Sequence, residues 1–342
     1  MAVSRAVKLD IQDQNEEPVT LMDKLRQHYE HRKQTGQRTR YTMYMCWALW
    51  IFQIPTQWYI AHIYLFPYLL HQFTEQTQFY VQVIYFICGT ETVINLLCSM
   101  CFSSKYVKSG DNHELQGIKD HGRNPSDQFL QLNDTTNGHL PDDGGLPWSY
   151  CDKCDIMIPP RAHHCKICDA CILKRDHHCF VVGRCIGHYN QRYFVVLTFY
   201  ATIIGMGGAI LTLSYLHLFY WPDATWTDFV LPVTLYRGLF GTMKCHIAIM
   251  IVHMYTEIAI GILGMVFFPY QMYTIYKGVT VYEIMKGVSV LNTNSANANF
   301  ASVFGNFWAL NFVFPMTVLC RQQEDGTSWR GVKLNYSTKI PK

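Results

Sequence analysis

The sequence predicts an all-α membrane protein of four transmembrane helices, with a cytosolic cysteine-rich domain of short hairpins between the second and third. Three observations predict it. Four stretches are long and apolar enough to cross a bilayer, 26 of the 28 lysines and arginines fall on one side of them, and seven of the 13 cysteines crowd into residues 151–185. The chain is 49% hydrophobic, yet its mean hydropathy is close to zero, so polar segments must balance the apolar ones.

A hydrocarbon core of ~30 Å needs about 20 apolar residues in helix. Residues 43–66, 79–102, 194–218 and 247–270 meet that length. Residues 1–40 are polar and include Glu16, Glu17 and Pro18, unlike a cleavable leader, so the first span acts as its own signal. With the N-terminus cytosolic, residues 1–42, 103–193 and 271–342 share the cytosolic side, and the basic residues obey the positive-inside bias. Glu91 and Asn95 lie i,i+4 in the second span, as do His253 and Glu257 in the fourth. Such groups should face the bundle interior, where interhelical hydrogen bonding is preferred to a transport or proton path.

The domain order that follows is a cytosolic segment 1–42, a helix pair 43–102, a linker 103–149, the cysteine-rich domain 150–193, a second helix pair 194–270, and a cytosolic region 271–342. The linker is rich in Asp, Asn, Gly, Ser and Lys, with the turn-forming run Pro141-Asp142-Asp143-Gly144-Gly145. A further apolar stretch at 300–320, interrupted by Asn306, Asn311 and Pro315, is expected to dock at the membrane interface. The net charge of +3 is too small for a nucleic-acid binder, and no nucleic-acid partner is expected.

Between 151 and 185 the order is Cys151-x2-Cys154, His163-His164-Cys165-x2-Cys168-x2-Cys171, Asp176-His177-His178-Cys179 and Cys185, seven cysteines and four histidines. On the cytosolic side thiols stay reduced, which argues against disulfides. Cysteine pairs two residues apart can aim both sulfurs at one tetrahedral zinc. Two sites of three Cys and one His use six cysteines and two histidines. One thiol is left over, beside a histidine and a carboxylate, and that combination can make an activated nucleophile. Spacing alone leaves two readings open: an enzyme, or a purely architectural zinc module in which Cys179 is a spare ligand.

Residues Tyr150 to Phe194, with Pro160, Arg161, the evenly spaced cysteines, Asn190 and the tetrad Asp176-His177-His178-Cys179, resemble the DHHC protein S-acyltransferase (palmitoyltransferase) family. Gly183-Arg184-Cys185 is similar to the palmitoyltransferase 24-like branch. The resemblance implies two interleaved zinc sites, one of Cys151, Cys154, His164 and Cys171, the other of Cys165, Cys168, His178 and Cys185. It implies Cys179 as nucleophile, His177 as base and Asp176 as its orienting partner; it leaves His163 unassigned, and a buried, hydrogen-bonded supporting role is expected there. It also implies a multi-pass protein of the Golgi or endoplasmic reticulum that takes a fatty acyl group from acyl-CoA and passes it to cysteines of cytosol-facing proteins. The alternative is a catalytically inactive zinc-binding scaffold. Arg161, Lys174 and Arg175 could meet the phosphates of CoA.

The sequence departs from the family in three places. Phe180-Val181 replaces Pro-Trp after the tetrad, an Asp-Pro-Gly turn is missing after the second span, and a Thr-Thr-x-Glu element is present only as Thr280-Val281-Tyr282-Glu283.

Overall fold

The structure is a computed structural model that describes residues 21–107, 148–313, 322 and 324–335. The expected linker falls mostly on 108–147, and part of the apolar stretch 300–320 falls on 314–320; both lie outside the described residues.

The first helical run is α1 (Leu21–Ile60), a π turn (Ala61–Leu65) and α2 (Phe66–Leu69). Pro67 lacks an N–H to donate back along the helix, which accounts for the widened turn before it. Helix α3 (Glu75–Cys101) begins at Thr74, whose hydroxyl accepts from the Thr77 N–H at 3.3 Å. Helices α4 (Gln191–Phe219) and α6 (Cys245–Lys277) flank the short α5 (Leu231–Leu239).

Among the described residues three helices, α3, α4 and α6, are long and apolar enough to cross a membrane. The expected span 43–66 lies in the first helical run but is diluted by Gln53, Pro55 and Gln57, so composition does not single it out.

Helices α4 and α6 approach closely because glycines line their crossing. A Cβ on Gly205 would sit 2.5 Å from the Gly261 nitrogen, too near for any side chain. The polar residues of the spans find partners inside the bundle. The Gln57 amide donates to Glu257 Oε1 at 2.8 Å, Thr212 donates to Glu257 Oε2 at 3.0 Å, and His253 Nε2 lies 3.3 Å from the same carboxyl. Asn95 donates to Glu91 Oε2 at 3.1 Å. The Gln57 and Thr212 bonds to Glu257 join helices as expected, whereas the Asn95–Glu91 and His253–Glu257 pairs lie within single helices.

Between α3 and α4 the chain makes three antiparallel hairpins: β1 (Ser149–Cys151) with β2 (Ile156–Ile158), β3 (His163–Cys165) with β4 (Ala170–Ile172), and β5 (His177–Cys179) with β6 (Arg184–Ile186). After α6 come α7 (Val281–Lys286), β7 (Ser289–Asn292), α8 (Ala296–Phe304) and β8 (Val332–Asn335), which pairs with β7. The architecture is therefore mostly helical rather than all-α. Among the described residues its strands are confined to the three hairpins that aim ligands and to the β7–β8 pair, which ties the C-terminal region to the chain just after α6 and α7.

In the described part of 300–320, α8 stops at Gly305, and Val303 and Phe304 pack against Val195, Val196 and Tyr200 of α4 and Ile275 of α6. This leaves the described part of the C-terminal region folded against the start of α4 and the end of α6. Asn190, fully buried at the start of α4, joins the same junction: its amide donates to the carbonyls of Ser99 and Cys185, and its oxygen accepts from Ser104 and the Gly187 N–H.

Candidate active site and metal centres

The hairpins bring two quartets together: Cys151, Cys154, His164 and Cys171, and separately Cys165, Cys168, His178 and Cys185. In each the four donor atoms lie within 4.8 Å of one another. Zinc–sulfur bonds of about 2.3 Å in a tetrahedron set sulfurs about 3.8 Å apart. The Cys154 and Cys171 sulfurs are 3.6 Å apart, and His178 Nδ1 lies 3.7, 3.3 and 3.7 Å from the sulfurs of Cys165, Cys168 and Cys185. None of these cysteines is in a disulfide. Two closed Cys3His sets of this geometry fit two structural zinc ions.

Strand alternation explains how the quartets interleave. Neighbouring residues of a strand face opposite ways, so His164 serves the first quartet and Cys165 the second. Register completes each set, with His164 opposite Cys171 and His178 opposite Cys185. Asp155 and Asp169, just after the knuckle turns, take left-handed backbones at φ 57° and 49°, which Asp tolerates better than most residues.

The same alternation acts in β5. His178 faces the metal quartet, and His177 and Cys179 face the other way together. His177 Nδ1 lies 2.7 Å from Asp176 Oδ2, and its ring also bonds the Cys179 sulfur. Asp176 is 1% exposed and takes two further bonds, from the Gln271 amide at 2.7 Å and from the Val281 N–H at 2.8 Å. Burial alone would raise the Asp176 carboxyl, but the His177, Val281 and Gln271 donors hold it below its usual range. Burial likewise opposes a charged His177, yet Asp176 and the Cys179 sulfur outweigh it and lift the imidazole to about 9. Proton affinity is thus concentrated beside the thiol.

Cys179 is 8% exposed and sits in an apolar cluster with Leu96 of α3, Phe194 and Leu197 of α4, Val182 and Ile186. Trp50 and Ile54 of α1 and Met100 of α3 pack on the same cluster, so three helices wall the sulfur. Gly183, at φ 78°, closes the β5–β6 turn, and a Cβ there would crowd Met43 and Trp47 of α1. Phe180, one of the departures from the family pattern, is half exposed and edges onto His178.

The three basic candidates lie beneath the site rather than in the Cys179 cluster. The Arg161 guanidinium grips both oxygens of Glu283, at 2.6 and 2.8 Å, and donates to the Gly278 carbonyl. Arg175 donates to the His164 carbonyl and lies over Tyr282, which also stacks on His163. Lys174 is buried over Trp329.

The element Thr280–Glu283 proves to be a capping box at the start of α7. Glu283 braces Arg161 while the backbone N–H of Val281 holds Asp176, so a valine serves at that position without loss of the bond. A Thr-x-x-Glu pattern is readable in sequence. The roles of Gln191, Gln271 and Trp329 are not, because each depends on a partner 80 or more residues away.

Residues 146–288 match the family model described as DHHC palmitoyltransferase. This stretch is a DHHC palmitoyltransferase domain. The DHHC domain begins just before the first hairpin and ends after α7, so it contains both quartets, the Asp176–Cys179 tetrad and helices α4 and α6. A search of curated proteins returned no match.

Proposed function

We propose that the chain is a protein S-acyltransferase in which Cys179 carries the acyl group between acyl-CoA and a protein cysteine. The observation that supports this most directly is the side-by-side placement of Cys179 and His177 on one face of β5, backed by Asp176, with the metal quartet on the other face. Zinc held by the eight ligands supplies no open coordination position, and its contribution is to fix the hairpins.

In the first step His177 takes the Cys179 proton, the sulfur attacks the thioester carbonyl carbon, and CoA leaves as its thiol with that proton. In the second, the substrate cysteine gives its proton to His177 and displaces the acyl group, restoring Cys179. Splitting the transfer in two makes each step an exchange between sulfurs. Asp176 keeps the imidazole in the needed orientation and favours its charged form. The apolar wall from α1, α3 and α4 suits the acyl chain, since each methylene removed from water gains about 0.8 kcal/mol.

In this reading α1 supplies a fourth span through residues 43–66, and the positive-inside bias puts the tetrad on the cytosolic side. The test is incubation of the purified protein with acyl-CoA and mapping of hydroxylamine-labile label. Label on Cys179, lost in Cys179→Ser with zinc content unchanged, supports the enzyme. A wild type that takes no label is the inactive scaffold.

A further inference from the structure

A small cavity, open to solvent at its mouth, lies between the DHHC domain and the C-terminal region. Its lining includes Lys174, Gln191, Arg161, Glu324, Trp329 and Arg330. Two of these groups are buried without the partners their chemistry requires. Lys174 is 5% exposed, its ammonium rests 5.3 Å over the Trp329 ring, and among the described residues nothing accepts a hydrogen bond from it. Gln191 is 1% exposed, and although its amide nitrogen donates to Gln271, its Oε1 has no partner. A buried cation without an acceptor and a buried acceptor without a donor each cost free energy unless something fills the space between them.

The charges define what that something is. The Arg161 charge is matched by Glu283; of the other described lining groups, Lys174 and the exposed Arg330 are cationic and Glu324 is the one carboxylate, while Asp176 and Glu283 also act on Lys174 through space. Burial, and then the neighbouring Arg161, depress the Lys174 ammonium to about 7 and outweigh the opposing pull of Glu283, Asp176 and Glu324. A ligand that satisfies the whole lining must carry negative oxygens for Lys174 and Arg330 and one hydroxyl for Gln191 Oε1. A carboxylate or a sulfate has no hydroxyl to give at neutral pH, and water has no charge. A monoprotonated phosphate has both.

We propose that this cavity is a phosphate-binding site, occupied by a phosphate monoester or free phosphate whose P–O⁻ groups accept from Lys174 and Arg330 and whose P–OH donates to Gln191. The site is tied to the tetrad. Gln191 bonds Gln271, and Gln271 bonds the oxygen of Asp176 that holds His177. Fixing the Gln191 amide therefore fixes Gln271, and occupancy raises the rate at which Cys179 is acylated. This coupling rests on the proposed function; the binding does not.

The experiment is thermal unfolding of the full-length protein in detergent, with zinc content monitored, against phosphate and against sulfate at matched ionic strength. The expected result is a saturable rise in Tm with phosphate and none with sulfate. The rise should be absent in Lys174→Met, and the affinity roughly tenfold weaker in Arg330→Ala, the loss of one charge-assisted bond. Nanodiscs separate the sources: protection by phosphatidic acid over phosphatidylcholine, without free phosphate, assigns a lipid headgroup, and protection by free phosphate alone assigns a soluble ligand. Equal responses to phosphate and sulfate mean that the cavity holds only water, and overturn the proposal. So does competition by CoA that dephospho-CoA does not reproduce, which gives the cavity to the co-substrate. If Lys174→Met fails to fold, Arg330→Ala decides, because unchanged affinity in that surface variant overturns the site. Acylation of Cys179 is read in parallel. A phosphate-dependent Tm in a protein that takes no acyl label leaves the binding site standing and removes only the proposed function.

Discussion

Strands β3 and β5 carry the same three residues, His163-His164-Cys165 and His177-His178-Cys179, in hairpins of the same register. In both, the middle histidine serves the quartet on one face. In β3 the following cysteine serves the other quartet, because a second knuckle lies next to it. In β5, among the described residues, no third quartet claims Cys179, so the same template leaves a sulfur outside the metal sets. The residue before each strand completes the contrast: Ala162 precedes His163, and Asp176 precedes His177. His163 stacks on Tyr282, whereas His177 is bonded to a carboxylate and to the thiol. One structural hairpin differs from a candidate catalytic one by a carboxylate and by a ligand position left unfilled.

The largest expected effect breaks the template itself. Cys165→Ala removes a ligand of the second quartet, and because structural zinc contributes on the order of 10 kcal/mol to folding, the domain should unfold with loss of metal. Zinc content and limited proteolysis check it; a folded, active Cys165→Ala would mean that the ligand sets are wrong. Cys179→Ser should leave both ions in place and abolish the acyl-enzyme, a loss of roughly 10³-fold or more in transfer. If that variant also lost zinc, the contrast between Cys165 and Cys179 would disappear.

Asp176→Ala makes β5 resemble β3. Transfer should drop by roughly 10²–10⁴-fold at unchanged zinc content, the range seen when an orienting carboxylate is removed from an imidazole base. Arg161→Ala leaves Glu283 buried without its partner, which costs about 3–5 kcal/mol, and a lowered Tm reports it. The smallest effect belongs to His163→Phe, which keeps a ring on Tyr282 and should cost only about 1 kcal/mol with transfer nearly intact. A large loss of activity there would make the two histidines equivalent and sink the comparison.

Much of this was legible in the chain. Apolar length marks α3, α4 and α6, the cysteine spacing marks the knuckles, and counting ligands against residues leaves one thiol over. The linear sequence was less informative about α1, because Gln53 and Gln57 dilute its hydropathy in order to reach Thr256 and Glu257 across the bundle. Nor does it reveal that Arg161 and Arg175 are braces with partners inside the protein.

The sequence by itself determined the ligand count for two Cys3His sites with one thiol over, and the apolar length of α3, α4 and α6, since these follow from residue type and spacing within a few turns of chain; which donors share a site came from the family resemblance. Only the tertiary structure decided that Gln271 and the Val281 N–H hold Asp176, and that Lys174 and Gln191 share a cavity with Trp329. Those pairings join residues far apart in the chain, and a hydrogen bond of 3 Å is a property of where backbones meet, which no local pattern encodes.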